Sequence, residues 1–284
     1  MTAAGLIRSF QPDGARSISS KRSGSQSEDY ALRLFCFTFA GGSAAPFFEW
    51  RRVQPDNIAI CPVEYPGHGS RWHESSSPSI RQLIQTTYNE LRPHLVPPYA
   101  FLGHSFGAIV AYELARLLSQ KGEALPARLI LSGARAPHLS VDMIHHLPDP
   151  EFLDRLIRFE GVPREVLEND EALALLLPKV RHDFRLFEEH ERIRRDPIPV
   201  PISVFGGLQD PHVSAASLLA WSGYTTKSFR SRFFPGNHFF LFDPRLPIMR
   251  GIGEDLGAAL NNEVDGRDDA RAAASSHKDG RPDE

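Results

Sequence analysis

Cysteine, methionine and tryptophan are scarce in this chain, at two, three and three residues out of 284. Cys36 and Cys61 stand singly in apolar, strand-like runs, where cysteine usually serves as a small buried hydrophobe, so no disulfide scaffold is expected. No uninterrupted apolar stretch approaches the roughly 20 residues of a membrane-spanning helix, and the first residues lack the apolar core of a secretory signal. Neither sign of charge dominates. The 32 Lys and Arg against 35 Asp and Glu leave a formal −3, which gives no electrostatic footprint for nucleic acid. No internal repeat occurs, and no histidine pair carries a metal-type partner set such as H-E-x-x-H. These absences argue against a metal, a cofactor, a membrane or a nucleic-acid partner, and they fit a reducing, cytoplasmic setting.

What is present suits a globular enzyme. A hydrophobic share of 41% and an aromatic share of 10% suffice for a substantial core. Residues 1–30, rich in Ser, Arg and Gly with no hydrophobic period, read as a disordered extension. An organelle transit peptide is the other reading of that composition. Residues 262–284 are charged, rich in Ala and Ser, and also expected to be disordered. The remaining 31–261 form the candidate domain.

Within that domain apolar runs alternate with helical patterns. Strand candidates are Leu32 to Ala40, Asn57 to Tyr65, Tyr99 to Leu102, Ala127 to Ala134, Ile202 to Gly206 and Phe229 to Phe234. Between them, Ser79 to Leu95 and Ala108 to Lys121 carry apolar residues at helical spacing, the second stopped by Gly122. Strands separated by helices predict an α/β fold with a mostly parallel sheet covered on both faces. From Pro137 to Arg195 the alternation fails and only helical pieces remain: Asp149 to Phe159, Pro163 to Asn169, and Glu171 to Arg194 interrupted at Pro178. An insertion over about 138–195 reads either as a lid over the C-terminal sheet edge or as enlarged crossover helices, since one crossover needs only about a dozen residues.

Gly103-His104-Ser105-Phe106-Gly107 follows one of those strands and opens a helix. G-x-S-x-G in that setting is a nucleophile elbow, with small residues flanking a cramped serine at a helix N-terminus. A serine hydroxyl needs a base, and the base needs a carboxylate to fix its tautomer. The expected chain order is serine, acid, histidine. Asp210 lies just past the Ile202 strand and its Gly206-Gly207 turn, and His238 follows the next strand and the turn Pro235-Gly236-Asn237. Ser105, Asp210 and His238 are therefore the candidate catalytic residues. Asp183 and Asp196 are rival acids only if the helical insertion reaches the serine. His190 and His212 read as surface or helix-flanking residues, His145-His146 and His182 as insertion residues, and His104 as a local packing or hydrogen-bonding group. For the oxyanion hole, the candidates are the Phe106 N–H and, from the glycine-bearing loop Phe39 to Ser43, the Ala40 N–H, with Gly41 as the alternative.

Five ordered blocks resemble the type II thioesterases of polyketide and nonribosomal peptide synthesis, within the α/β-hydrolase superfamily. They are Phe39 to Ser43, Tyr65-Pro66-Gly67-His68-Gly69-Ser70-Arg71, Gly103 to Gly107, Leu177-Pro178 with Arg181, Asp183 and Phe184, and Gly236-Asn237-His238-Phe239-Phe240-Leu241. The resemblance runs from about Leu32 to Leu260. It departs at Phe39, where the family usually has histidine, and at His68, where it often has arginine; both bear on the chamber entrance or the acyl chain chosen. The resemblance implies an α/β-hydrolase fold and hydrolysis of acyl thioesters on the phosphopantetheine arm of acyl or peptidyl carrier proteins, an editing role, by a monomer. Arg181, Arg185, Arg192, Arg194 and Arg195 either meet an acidic carrier or line a solvated helix face. An esterase or lipase, an acyl-transferring thioesterase, and a non-catalytic relative are the competing readings.

Overall fold

The apolar runs become six strands: β1 (Leu32–Phe37), β2 (Ile58–Val63), β3 (Tyr99–His104), β4 (Leu129–Ser132), β5 (Ile202–Gly207) and β6 (Phe229–Phe234). They pair in the order β2-β1-β3-β4-β5-β6, every neighbour parallel. This computed structural model describes residues 30–162, 164–190 and 195–258. The expected tails, residue 163, and the stretch holding Arg192 and Arg194 lie outside the described residues.

The helices are α1 (Ala45–Trp50), α2 (Ile80–Leu91), α3 (Phe106–Gln120), α4 (Asp149–Phe159), α5 (Arg164–Leu167), α6 (Asp170–Glu188) and α7 (Ala215–Leu219), with a last helix over residues 248–258. Parallel strands need covered faces, and both are covered. Leu83 and Tyr88 of α2 and Ile109, Tyr112 and Leu114 of α3 pack on one face with Phe35, Phe101 and Leu131. Phe47 and Trp50 of α1, with Ile248, Ile252 and Leu256, pack on the other with Leu34, Leu102 and Phe205. All six residues of β3 are buried. Each large side chain so removed from water contributes roughly 1.5–3 kcal/mol, so the strand that carries Ser105 is anchored from both sides.

Local signals account for the helix ends. The Ser79 side chain caps α2 by accepting the Gln82 N–H at 3.2 Å. The helix stops at Leu91, short of the expected Leu95, because Pro93 has no N–H to offer the turn before it. Gly122 follows α3 at φ +65°, as a C-terminal cap requires.

The segment between β4 and β5 is helical, as its pattern predicts, with no strand among its described residues. It has a small core of its own, where Phe152 and Leu156 of α4 meet Leu177 and Val180 of α6 and Ile144 of the preceding loop. One expectation fails: Pro178 does not interrupt α6, which runs unbroken from Asp170 to Glu188. A proline removes one helical hydrogen bond. Here the Asn169 cap on the Ala172 N–H and the burial of Leu177, Val180 and Leu186 hold the helix across that gap. Arg181 also turns inward. Its guanidinium donates to the Leu147 carbonyl at 2.6 Å and to Asp149 at 2.7 Å, and it lies over the Phe152 ring. Arg185 donates to Glu189 and to the Pro78 carbonyl, and Arg195 pairs with Glu113. Arg181, Arg185 and Arg195 thus hold the insertion together and to its surroundings.

Candidate active site

Ser105 joins β3 to α3 with φ +55° and ψ −117°, a backbone state that costs a non-glycine residue about 1–3 kcal/mol. The flanking glycines make the turn possible. A Cβ at Gly103 would lie 2.1 Å from the Gly107 carbonyl oxygen, and one at Gly107 would lie 2.2 Å from that of Phe37. The Ser105 N–H is tied to the Ser132 carbonyl on β4 at 2.8 Å. Beside it His104 is fully buried, with Nδ1 3.0 Å from the Ser132 hydroxyl, which is the local role expected of it.

The three candidate residues meet. His238 Nε2 lies 3.1 Å from Ser105 Oγ, and His238 Nδ1 lies 2.8 Å from Asp210 Oδ2. The second carboxylate oxygen of Asp210 accepts the N–H groups of His212 at 2.8 Å and Val213 at 3.2 Å. Burial by itself would raise the Asp210 pKa. The His238 hydrogen bond and charge and the two backbone donors outweigh it, and the net shift is downward from the ordinary 3.8. A carboxylate so held keeps the imidazole oriented, with Nε2 toward the hydroxyl. Such a series can draw a proton from the serine as Oγ attacks an electrophilic carbon.

The backbone supplies donors for the charge that would develop. The Phe106 N–H opens α3 and is one of the unpaired donors of a helix start. In the loop after β1, the Gly41 N–H is already committed to Asp183 at 2.7 Å. The Ala40 N–H takes no acceptor among the described residues. Ala40, Ser105 and Phe106 line one cavity of ≈ 140 Å³, together with Phe159, Phe184 and Phe187 of the insertion and with Val213 and Phe239. Its apolar walls suit a hydrocarbon chain.

Several residues sit where the sequence did not place them. The insertion does reach the loop after β1, but Asp183 binds His68 and Gly41 there while Asp210 holds His238; Asp196 is exposed. His68 is buried against Asp183 and does not line the cavity, whereas Phe39 does. His190 is buried, 3.1 Å from Glu113, and so is no surface residue. His212 packs on Phe159 with ring centroids 3.7 Å apart and lies 6.0 Å from the His238 ring. Its signal was its place two residues after Asp210.

A serine, histidine and aspartate in hydrogen-bonded series beside an apolar cavity point to acyl chemistry, and similarity to known proteins decides the family. The thioesterase domain family matches residues 32–253. The chain belongs to that family. This thioesterase is 36% identical to the gramicidin S biosynthesis protein GrsT of Aneurinibacillus migulanus, over 82% of this chain and 92% of that protein. It is 40% identical to a Brevibacillus parabrevis protein named linear gramicidin dehydrogenase LgrE, over 80% of this chain and 88% of that one. The solved structure of RedJ, a thioesterase of the prodiginine pathway in Streptomyces coelicolor, superposes with a TM-score of 0.75 at 32% identity, covering 87% of this chain and 98% of that one. The parallel sheet, the flanking helices and these neighbours make the fold that of an α/β hydrolase. No helix among the described residues is long and apolar enough to cross a membrane.

Proposed function

We propose that this thioesterase hydrolyses acyl thioesters carried on the phosphopantetheine arms of carrier proteins, clearing acyl groups in polyketide or nonribosomal peptide synthesis. Ser105 is the nucleophile, His238 the base and Asp210 its orienting acid. The observation that carries this reading is the unbroken series from Asp210 through His238 to Ser105 at the floor of an apolar, helix-roofed cavity. The relatives that serve antibiotic and prodiginine pathways support the carrier-bound substrate. The dehydrogenase name of one relative is not carried over, because the G-x-G-x-x-G dinucleotide fingerprint does not occur in this sequence.

In this reading His238 Nε2 accepts the Ser105 proton as Oγ bonds to the thioester carbonyl carbon. The Ala40 and Phe106 N–H groups hold the oxyanion. Collapse breaks the carbon–sulfur bond, the imidazolium proton passes to the departing sulfur, and the free thiol leaves with the carrier. Water then attacks the Ser105 ester, gives its proton to His238, and the proton returns to Oγ as the free acid departs. The enzyme acts as a cytoplasmic monomer through a catalytic domain over 31–261, with 1–30 and 262–284 as appended tails. The deciding experiment compares kcat/KM for an acyl-pantetheine thioester with that for the matched oxyester, in which oxygen replaces only the thioester sulfur. Preference for the thioester supports the assignment. Preference for the oxyester makes the protein an esterase with the same three residues, and a transferred or cyclised product in place of free acid makes it a releasing thioesterase.

A further inference from the structure

His68 and Asp183 form a buried pair that the proton transfers above do not use. Both side chains are almost inaccessible to solvent, and His68 Nε2 lies 2.8 Å from Asp183 Oδ2. The same carboxylate oxygen accepts the Gly41 N–H at 2.7 Å. His68 Nδ1 lies 3.2 Å from the Pro66 carbonyl oxygen. Both ring nitrogens therefore face atoms that only accept, and the ring satisfies both contacts only when both nitrogens carry protons. A neutral ring would turn one lone pair toward an acceptor inside the protein, where an unmatched polar group is costly. The Gly41 peptide is the one that follows Ala40, so the orientation of this loop sets where the Ala40 N–H points. Gly41 itself adopts φ +72°, and Val180 of α6 occupies the place a side chain would need.

We propose that His68 and Asp183 act as a proton-dependent clamp by which α6 holds the loop after β1, with the Ala40 N–H aimed at the reacting carbonyl. They are positioning residues, and the inference rests on the Ser105 reading. Burial works against the charge on His68. The hydrogen bond and negative charge of Asp183, aided by Pro66 and Glu64, outweigh burial and raise its pKa above the ordinary 6.5. Asp183 meets the ring directly, the Tyr65 ring lies 5.9 Å from it, and Glu64 acts on it through its charge; Lys179 and His182 share α6 with Asp183, and Arg71 follows His68 in the same segment. Lys179 is directed to the Trp72 carbonyl, His182 to that of Ser77, and Arg71 to Glu74 and Glu90. A raised pKa means that the clamp is intact at low pH and is lost as pH rises through the raised value.

The test measures kcat and KM against pH, with an acyl-pantetheine thioester, for wild type, Ser105→Ala, Asp183→Asn, His68→Gln and His68→Arg. It adds the affinity of an alkylboronic acid, whose tetrahedral adduct on serine uses the oxyanion donors. Misaiming a donor by about an ångström can cost ~100-fold. Asp183→Asn and His68→Gln should therefore lose roughly 10- to 100-fold in kcat and in boronate affinity, with KM within about threefold. Wild type should show a fall in kcat on the alkaline side. His68→Arg, whose guanidinium stays charged, should restore most of the kcat lost in His68→Gln and lack that alkaline fall. Wild-type kcat in Asp183→Asn and His68→Gln, or an alkaline fall unchanged in His68→Arg, overturns the clamp; so does a loss confined to KM or to thermal stability. Full activity in Ser105→Ala instead overturns the underlying site assignment.

Discussion

Replacing Asp210 by asparagine should disable the enzyme while leaving its fold intact, and the hydrogen bonds around the carboxylate say why. One oxygen of Asp210 accepts two backbone N–H groups, from His212 and Val213, and the other accepts His238 Nδ1–H. The amide of Asp210→Asn offers one oxygen and one NH₂. If the NH₂ faced the two backbone donors, three N–H groups would meet with no acceptor. The oxygen must therefore stay on His212 and Val213, which turns the NH₂ toward His238. Nδ1 then has to accept, the ring proton moves to Nε2, and Nε2 points an N–H at Ser105 in place of a lone pair. A base in the wrong tautomer costs about 10⁴ in kcat, or roughly 5.4 kcal/mol at ~1.36 kcal/mol per decade. The assay is thioester turnover alongside a thermal melt, with KM expected near wild type because no wall of the cavity changes. Activity within tenfold of wild type would refute the argument, since no arrangement of that amide both satisfies the two backbone donors and leaves Nε2 free to accept.

Gly103→Ala should unfold the elbow locally, because its Cβ would stand 2.1 Å from a backbone oxygen that cannot swing away. A loss of about 3 kcal/mol is expected, read as a fall of roughly 6–12 °C in Tm, and an unchanged Tm would show that the turn has room the geometry denies. Phe184→Ala opens the cavity roof and should shift preference toward longer acyl chains. Each added methylene that finds room is worth about 0.8 kcal/mol, close to fourfold in kcat/KM, and a chain-length profile identical to wild type would exclude Phe184 from the acyl wall. Asp210 has a depressed pKa, so its contribution to stability is complete above the unfolded value and is lost as pH falls through the lower folded one. Acid titration of Tm should therefore be shallower in Asp210→Asn than in wild type below about pH 4, and superposable curves would count against a carboxylate stabilised by its hydrogen bonds in the native state.

Much of this was legible because local and global signals coincide. The strand, the G-x-S-x-G turn and the helix at Ser105 obey short-range sterics, and Asp210 and His238 lie just past β5 and β6, where a parallel sheet exposes its loops. Less legible was anything that depends on distant side chains meeting. Asp183 and His68 are 115 residues apart, and no periodicity announces that contact. In the sequence Asp183 reads as a rival acid and as part of a block shared with the thioesterases, and the structure gives its carboxylate other partners. Pro178 misled for the complementary reason: its helix-breaking tendency is local, while the packing that overrides it comes from the insertion core. The hydrogen bond from the Gly41 N–H to Asp183 was hidden for the same reason, since its partners meet across 142 residues.

The proposed reaction is removal of acyl groups from carrier thioesters by Ser105. Intact-mass spectrometry of an acyl-loaded carrier protein, incubated with wild-type enzyme or with Ser105→Ala, tests it most directly. Wild type should convert the loaded carrier to its free-thiol form with release of the carboxylic acid. With Ser105→Ala the loaded carrier should stay unchanged on the same timescale, with turnover lower by about 10⁴–10⁶. Release by Ser105→Ala within tenfold of wild type, or a loaded carrier that wild type leaves intact while it cleaves a simple ester, would contradict it.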